Sequence, residues 1–146
     1  MLIRPPRPED RAAWGQLYVG YATFYKVDQT EAMRDTVWGW LMDPAHEVNG
    51  FVAEDDTGAL IGLTHYRPFA RPLSASTGGF LDDLFVDPAA RGSGAAQALI
   101  DAVATAGREK GWTVIRWITA EDNARARAVY DKLATPTAWK TYDIKL

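Results

Sequence analysis

Residues 80–100 read FLDDLFVDPAARGSGAAQALI. Phe80 to Val86 is an aromatic and aliphatic run of strand length that carries two adjacent aspartates, Asp82 and Asp83. Asp87-Pro88 ends it, because proline has no N–H for a strand ladder and restricts the residue before it. Arg91-Gly92-Ser93-Gly94-Ala95-Ala96 follows, and after the arginine every residue is small. Small residues let a backbone approach a ligand, and a helix that begins there points free N–H groups outward. The stretch reads as strand, tight turn and helix start, with an anion site of the phosphate-binding kind at the turn. Arg91 adds a fork of donors beside the same anion. Taken alone, the glycines fit a plain strand-to-helix turn equally well.

The totals bound what such a site can serve. A chain of 146 residues with 47% hydrophobic and 24% charged residues is expected to form one soluble domain, residues 1–146. Sixteen basic against nineteen acidic residues leave a net charge of −3, without the clustered basic footprint of a nucleic-acid binder. The absence of cysteine removes disulfides, thiolate metal ligands and a cysteine nucleophile. With His46 and His65 as its two histidines, the chain is not expected to hold a metal. No apolar run reaches signal-peptide or membrane-span length, so the expectation is a cytoplasmic protein without a membrane partner. Six tryptophans and six tyrosines point to an aromatic core or an aromatic-lined pocket.

Outward from the opening stretch, the chain divides into regular elements. Leu2 to Arg4 suits a short strand, and Pro8-Glu9-Asp10 a first helical turn. Trp14, Leu17, Tyr18, Tyr21, Phe24 and Tyr25 recur at helical steps, the first three as core and the last three as core or pocket wall. Asp28 or Thr30 caps a second helix with Met33, Val37, Trp40 and Leu41 on one face. Gly50 to Glu54 and Leu60 to Tyr66 form strands around the Asp55–Gly58 turn, with Ile61, Leu63 and His65 on one face. Phe69 to Gly79 reads as a loop, Trp112 to Thr119 as a strand, and Glu121-Asp122-Asn123 as the cap of a helix bearing Tyr130. Trp139 to Lys145 reads as a closing strand. Antiparallel strands early and strand–helix–strand later imply an α/β fold with a mixed sheet covered on both faces.

These residues carry a resemblance. Arg91 to Ala96 resembles the Arg/Gln-x-x-Gly-x-Gly/Ala turn of the GCN5-related N-acetyltransferases (GNAT), in the same strand, break and helix context. Asn123 with Tyr130 resembles that family's Asn-x6-Tyr helix. YATFYKVDQT, GLTHY, FLDDLFV and YDKLA look like the branch that holds yeast histone, polyamine and D-amino-acid acetyltransferases. Ala134-Thr135 stands where many members have Gly-Phe, which leaves the rim of the acceptor pocket open. The resemblance implies a GNAT fold: a mixed, mostly antiparallel sheet of six to seven strands, a splayed central parallel pair, and about four helices on both faces.

It also implies acetyl-CoA as co-substrate, with an acetyl group passed to a primary amine. Backbone groups of Leu84, Phe85 and Val86 would hold the pantetheine arm, and Arg91, Gly92, Ser93, Gly94, Ala95 and Ala96 the pyrophosphate. Asn123 would bond the arm, cap its helix, or do both; Arg127 would meet a phosphate or stay solvated. Tyr130 would be the general acid. Asp82 and Asp83 would hold and deprotonate the amine, directly or through a water, with His65 a second candidate base or a structural histidine. Acidic residues beside Tyr21, Phe24 and Tyr25 suit a cationic acceptor, a polyamine, diamine or amino acid. A protein lysine and a non-catalytic acyl-CoA-binding module are the alternatives. Relatives of this kind often dimerise through terminal strands, so a homodimer is expected.

Overall fold

In a computed structural model that describes residues 1–146, the aspartate-bearing strand spans Ser76–Val86 and begins well before its apolar run. It is β4 of a five-stranded sheet with β1 (Leu2–Arg4), β2 (Asn49–Glu54), β3 (Leu60–Arg71) and β5 (Ile115–Arg116), ordered as numbered. Neighbours are antiparallel as far as β4, whereas β4 and β5 are parallel. The connection between that parallel pair is α3 (Ala95–Glu109), a crossover that antiparallel hairpins do not need. The other helices are α1 (Arg11–Phe24), α2 (Glu31–Met42) and α4 (Ala124–Leu133).

Two apolar layers hold helices to the sheet. On one face Trp14, Leu17 and Tyr18 of α1 bury against Val52 and Leu63, joined by Val37, Trp38 and Leu41 of α2. On the other, Ile100 and Val103 of α3 meet Tyr66 and Leu81, with Tyr130 and Leu133 of α4 at the margin. Ala95 and Leu99 close over Ala53, the small partners letting α3 lie near the sheet. Thr30 caps α2 by accepting from the Met33 N–H at 3.1 Å.

A buried ion network ties β1 to the start of α1. Arg4 donates to both oxygens of Asp10, at 2.6 and 3.0 Å, and to Glu54 at 2.8 Å. The Arg4 guanidinium holds the Asp10 carboxyl below the usual carboxylate range, outweighing the opposite push of burial.

Five features differ from the sequence expectation. The sheet has five strands, not six to seven, because residues 134–146 are exposed and outside any strand, and Trp139 to Lys145 pairs with nothing. Phe69 to Gly79 is no loop: β3 runs to Arg71 and turns through Pro72–Ser74 into β4. The strand expected over Trp112 to Thr119 is only Ile115–Arg116. On α2, Met33 and Trp40 are exposed and Trp38 enters the core instead, while Trp40 stacks on His46 at 4.9 Å. Ile61 is the extra residue of a bulge, since Gly62 faces Ala53 and Leu60 faces Glu54. The bulge turns Ile61 away from Leu63 and onto the α3 side.

Two measurements follow. A methyl group at Gly79 would collide with the Trp112 ring and come within 2.8 Å of Ile115, so Gly79→Ala should cost about 1–3 kcal/mol in urea unfolding. Folding lowers the Asp10 pKa, so its stabilisation is complete above the unfolded value near pH 4 and fades as pH falls through the folded one. Asp10→Asn should therefore flatten the acid limb of stability against pH, at a cost of about 3–5 kcal/mol at neutral pH.

Candidate active site

The parallel pair is brief. Gly79 faces Ile115 and Phe80 faces Arg116; then β4 runs on from Leu81 to Val86 with no strand on that side. A wedge opens there between β4 and residues 117–123. The Asp87 N–H donates to the Ile61 carbonyl at 2.8 Å. Strand alternation then points the Phe85 N–H at β3 and those of Leu84 and Val86 into the wedge. Of the three backbone positions assigned to the pantetheine arm, Leu84 and Val86 thus have free donors and Phe85 does not. The Phe85 ring instead lies under Gly20 of α1, where a Cβ would come within 2.9 Å of it.

At the end of β4, Asp87 accepts from the Ala89 N–H at 2.9 Å and shapes the turn. Gly92 and Gly94 both have φ of +82°, a left-handed conformation that disfavours a Cβ. Neither glycine is crowded by the chain, so backbone conformation and outward access are what they provide. Ser93 Oγ takes the Ala95 N–H at 3.3 Å. The N–H groups of Gly92, Gly94, Ala96 and Gln97 have no partner within the chain. Four unpaired donors at the N-terminus of a fifteen-residue helix, with exposed Arg91 beside them, fit a pyrophosphate. The residues present therefore suit the phosphate and arm of a CoA thioester.

Upstream on the same strand, a second bulge handles the aspartates. His65 faces Asp83 and Tyr66 faces Leu81, which makes Asp82 the extra residue. Asp83 and Phe85 turn to the α1 face, whereas Leu81, Leu84 and Val86 pack on the α3 face. Asp82 meets Arg67 through both carboxylate oxygens, at 3.1 and 3.3 Å. Burial and the charge of Asp83 push the Asp82 carboxyl up, against the pull of Arg67. Asp83 moves the other way. Burial would raise it, but His65 at 2.7 Å, through its hydrogen bond and through any positive charge on its ring, and then Tyr18 at 2.8 Å outweigh that and hold it below the usual range. Burial and the nearby Asp83 charge raise both Tyr18 and Tyr21, so each keeps its proton. Tyr21 sits over the bulge, its hydroxyl 3.5 Å from the Asp82 carbonyl.

His65 is not an accessible base. It is 2% exposed, and Trp14 donates its indole N–H to Nε2 at 3.0 Å while Nδ1 faces Asp83. It therefore leaves the set of side chains able to touch an acceptor. Phe24 and Tyr25, by contrast, are half-exposed and line an open cleft of ≈ 490 Å³ with Lys26, Asp122, Asn123 and Arg125. Asn123 caps α4 by accepting from the Ala126 N–H at 3.3 Å, which leaves its amide N–H groups for the cleft. Arg127 donates to the Glu121 carbonyl at 2.8 Å and braces the loop before α4, so its guanidinium is partly spent on the chain itself. Tyr130 packs edge-on against Trp117 at 5.4 Å. Burial pushes its hydroxyl up to about 12, and Tyr25 adds to the effect.

Tyr18 and Arg67 touch the aspartate pair and Trp14 reaches it through His65, and no signal in the sequence marks them for the site. For Trp14 and Tyr18 the helical stripe reads as core, which both also are. No group of three or more His, Cys, Asp or Glu residues is placed to hold a metal ion, and no helix is long and apolar enough to cross a membrane.

A splayed parallel pair, an anion-ready turn and a partly buried tyrosine facing the same region define an acyl-CoA-dependent transferase. Residues 14–134 match the family model described as Acetyltransferase (GNAT) family, and the chain belongs to that family of acetyl-CoA-using enzymes. Over 138 residues it is 29% identical to the D-amino-acid N-acetyltransferase HPA3 of Saccharomyces cerevisiae (strain ATCC 204508 / S288c), covering 94% of this chain and 86% of that protein. The crystal structure of a probable acetyltransferase superposes with a TM-score of 0.87 at 25% identity, over 100% of this chain and 98% of the other. AAC(6')-Iy, solved in complex with the bisubstrate analog CoA-S-monomethyl-acetylneamine, has the same fold at a TM-score of 0.85 and 21% identity, covering 99% and 97%.

The turn makes its own prediction. Gly94→Ala should weaken CoA binding at least tenfold by calorimetry, because relaxing a left-handed residue redirects the N–H groups. It should cost only about 1–2 kcal/mol of stability.

Proposed function

We propose that this enzyme transfers the acetyl group of acetyl-CoA to the primary amine of a small cationic acceptor, a polyamine, diamine or amino acid, by direct attack in a ternary complex. The observation that carries it is the bulge that sets Asp82 and Asp83 beside the wedge, under the aromatic end of α1. The yeast relative is a D-amino-acid N-acetyltransferase, which supports an amino-acid acceptor, and the bisubstrate analog bound to AAC(6')-Iy supports a small amine.

Bound acetyl-CoA supplies an activated acyl carbon and a thiol leaving group. The chain does the rest. An alkylammonium is mostly charged near pH 7 and has no lone pair, so the acceptor must lose a proton before it attacks. Asp83, ionised well below neutral pH, attracts the cation and takes that proton directly or passes it to water. Asp82, its charge matched by Arg67, shapes the rim. Tyr21, Phe24 and Tyr25 wall the acceptor with aromatic faces. The wedge-facing N–H of Leu84 or Val86 steadies the thioester oxygen as it gains charge. Tyr130, which keeps its proton to about pH 12, gives it to the sulfur as the C–S bond breaks, and the second proton, shed by the acylated nitrogen, restores the tyrosine through solvent. Arg91 and the 92–96 turn anchor the donor, and Asn123 orients it. Residues 1–146 act as one catalytic unit.

The exposed, unpaired residues 134–146 support a homodimer. Trp139 and Tyr142 are 84% and 89% exposed, and β5 offers an unpaired edge. A second copy is the occupant inferred for this tail. Light scattering should give a dimer that becomes a monomer when residues 134–146 are removed; a monomeric full-length chain would rule it out.

Thiol release with a panel of amines tests the activity. Turnover on small amines is expected. CoA binding without turnover on any amine would instead indicate a binding module, and turnover on lysine peptides alone a protein acetyltransferase. Tyr130→Phe should lower kcat about 10²-fold or more with acetyl-CoA affinity unchanged. Asp83 is ionised throughout and adds no limb of its own. Where the amine's proton passes to water, kcat/KM should rise with pH up to the acceptor's own pKa, with a limb that moves when an amine of different basicity is used. Where Asp83 keeps the proton, kcat/KM should be flat below that pKa.

A further inference from the structure

Two side chains, one from α1 and one from β3, hydrogen-bond to one carboxylate. Tyr18 and His65 both reach the same oxygen of Asp83, Oδ2, at 2.8 and 2.7 Å. The two hydrogen bonds within 3.5 Å thus leave Oδ1 without a donor, while the Tyr21 hydroxyl stands beside the same carboxylate. Behind His65 stands Trp14, 1% exposed, with its indole nitrogen 3.0 Å from Nε2. An indole N–H donates and never accepts, so Nε2 must carry a lone pair and not a proton. The ring then bears its one proton on Nδ1 and gives it to Asp83. Protonating Nε2 as well would set two N–H groups head to head in a buried site.

We infer that Trp14 and His65 are positioning residues for acetyl transfer: Trp14 fixes His65 as the neutral Nδ1–H tautomer, and His65 with Tyr18 clamps Oδ2 of Asp83 so that Oδ1 meets the acceptor amine. The inference rests on the proposed use of Asp83.

The contrast with Asp82 shows what the arrangement accomplishes. Arg67 forks onto both oxygens of Asp82 and cancels its charge. Asp83 is faced by Tyr18 and Tyr21 from α1, by His65 from β3 and by its neighbour Asp82, and none of these is a cation while His65 stays neutral. Its negative charge is therefore reserved for the substrate. An imidazolium at His65 would compensate that charge and repel an ammonium acceptor. Trp14 prevents this with a single hydrogen bond that lies two side chains away from the amine.

Imidazole nitrogen shifts in ¹⁵N NMR test the tautomer in the intact protein. His65 should show a protonated Nδ1 and a bare Nε2 at neutral pH; a protonated Nε2 there would overturn the inference. Trp14→Phe should let Nε2 take a proton as pH falls. That change should add a step to the pH profile of kcat/KM for the amine, absent in the wild type and absent again in Trp14→Phe/His65→Asn. A Trp14→Phe profile identical to wild type would count against the link.

Kinetic variants test the clamp. His65→Leu should lower kcat/KM for the amine about tenfold or more with the Kd for acetyl-CoA unchanged. His65→Asn, whose amide can donate in the Nδ1 position, should recover most of the loss; equal activity of the two variants would overturn the role. Asp83→Asn separates the failures. Loss of activity there with full activity in His65→Leu removes positioning alone, whereas full activity in both removes the use of Asp83 as well.

Discussion

β4 lets go of β5 after two residues, and the functional part of the molecule depends on that release. A buried parallel strand normally satisfies its backbone on both edges, and an open edge in the interior of a sheet is costly unless something completes it. Here the loss begins just after Phe80, where the pair ends. The N–H groups of Leu84 and Val86 are turned outward by the strand's own alternation. The same strand then breaks at Asp87 and delivers four more unpaired N–H groups at the turn. Strand and helix end thus form one continuous row of donors, suited to a ligand with a polar arm and a charged head.

The bulge at Asp82 solves a different problem. Regular alternation from Leu81 would put Asp83 and Leu81 on one face and force a carboxylate or a leucine into the wrong layer. One extra residue changes the phase, so Leu81 reaches the α3 core while Asp83 turns toward Tyr18. The two adjacent carboxylates leave the strand in different directions and with opposite pKa displacements. Environment, not residue type, separates their roles.

Much of this is legible in the residues. The turn from Arg91 to Ala96, the cap at Asn123 and the stripe of α1 are local signals, set by neighbours in the chain. What is not legible depends on distant partners. Ser76 to Gly79 looks unlike a strand because its glycines are required by Trp112, Phe69 and Val114 from elsewhere in the chain. His65 looks like a base because its pairing with Trp14 spans 51 positions. Trp139 to Lys145 has the alternation of a strand, but a strand forms only where an edge accepts it, and none in this chain does.

α4 buries none of its residues. It nevertheless carries Tyr130, begins with Asn123 and forms one side of the cleft. A helix with so little core behind it belongs to the low-stability end of a fold, where local opening is easiest. Any ligand seated against it must supply part of the burial that its own sequence omits. Binding and the ordering of this helix are then thermodynamically linked, and each favours the other by the same amount. The enzyme's affinity for its donor is, to that extent, a deferred portion of its own folding free energy.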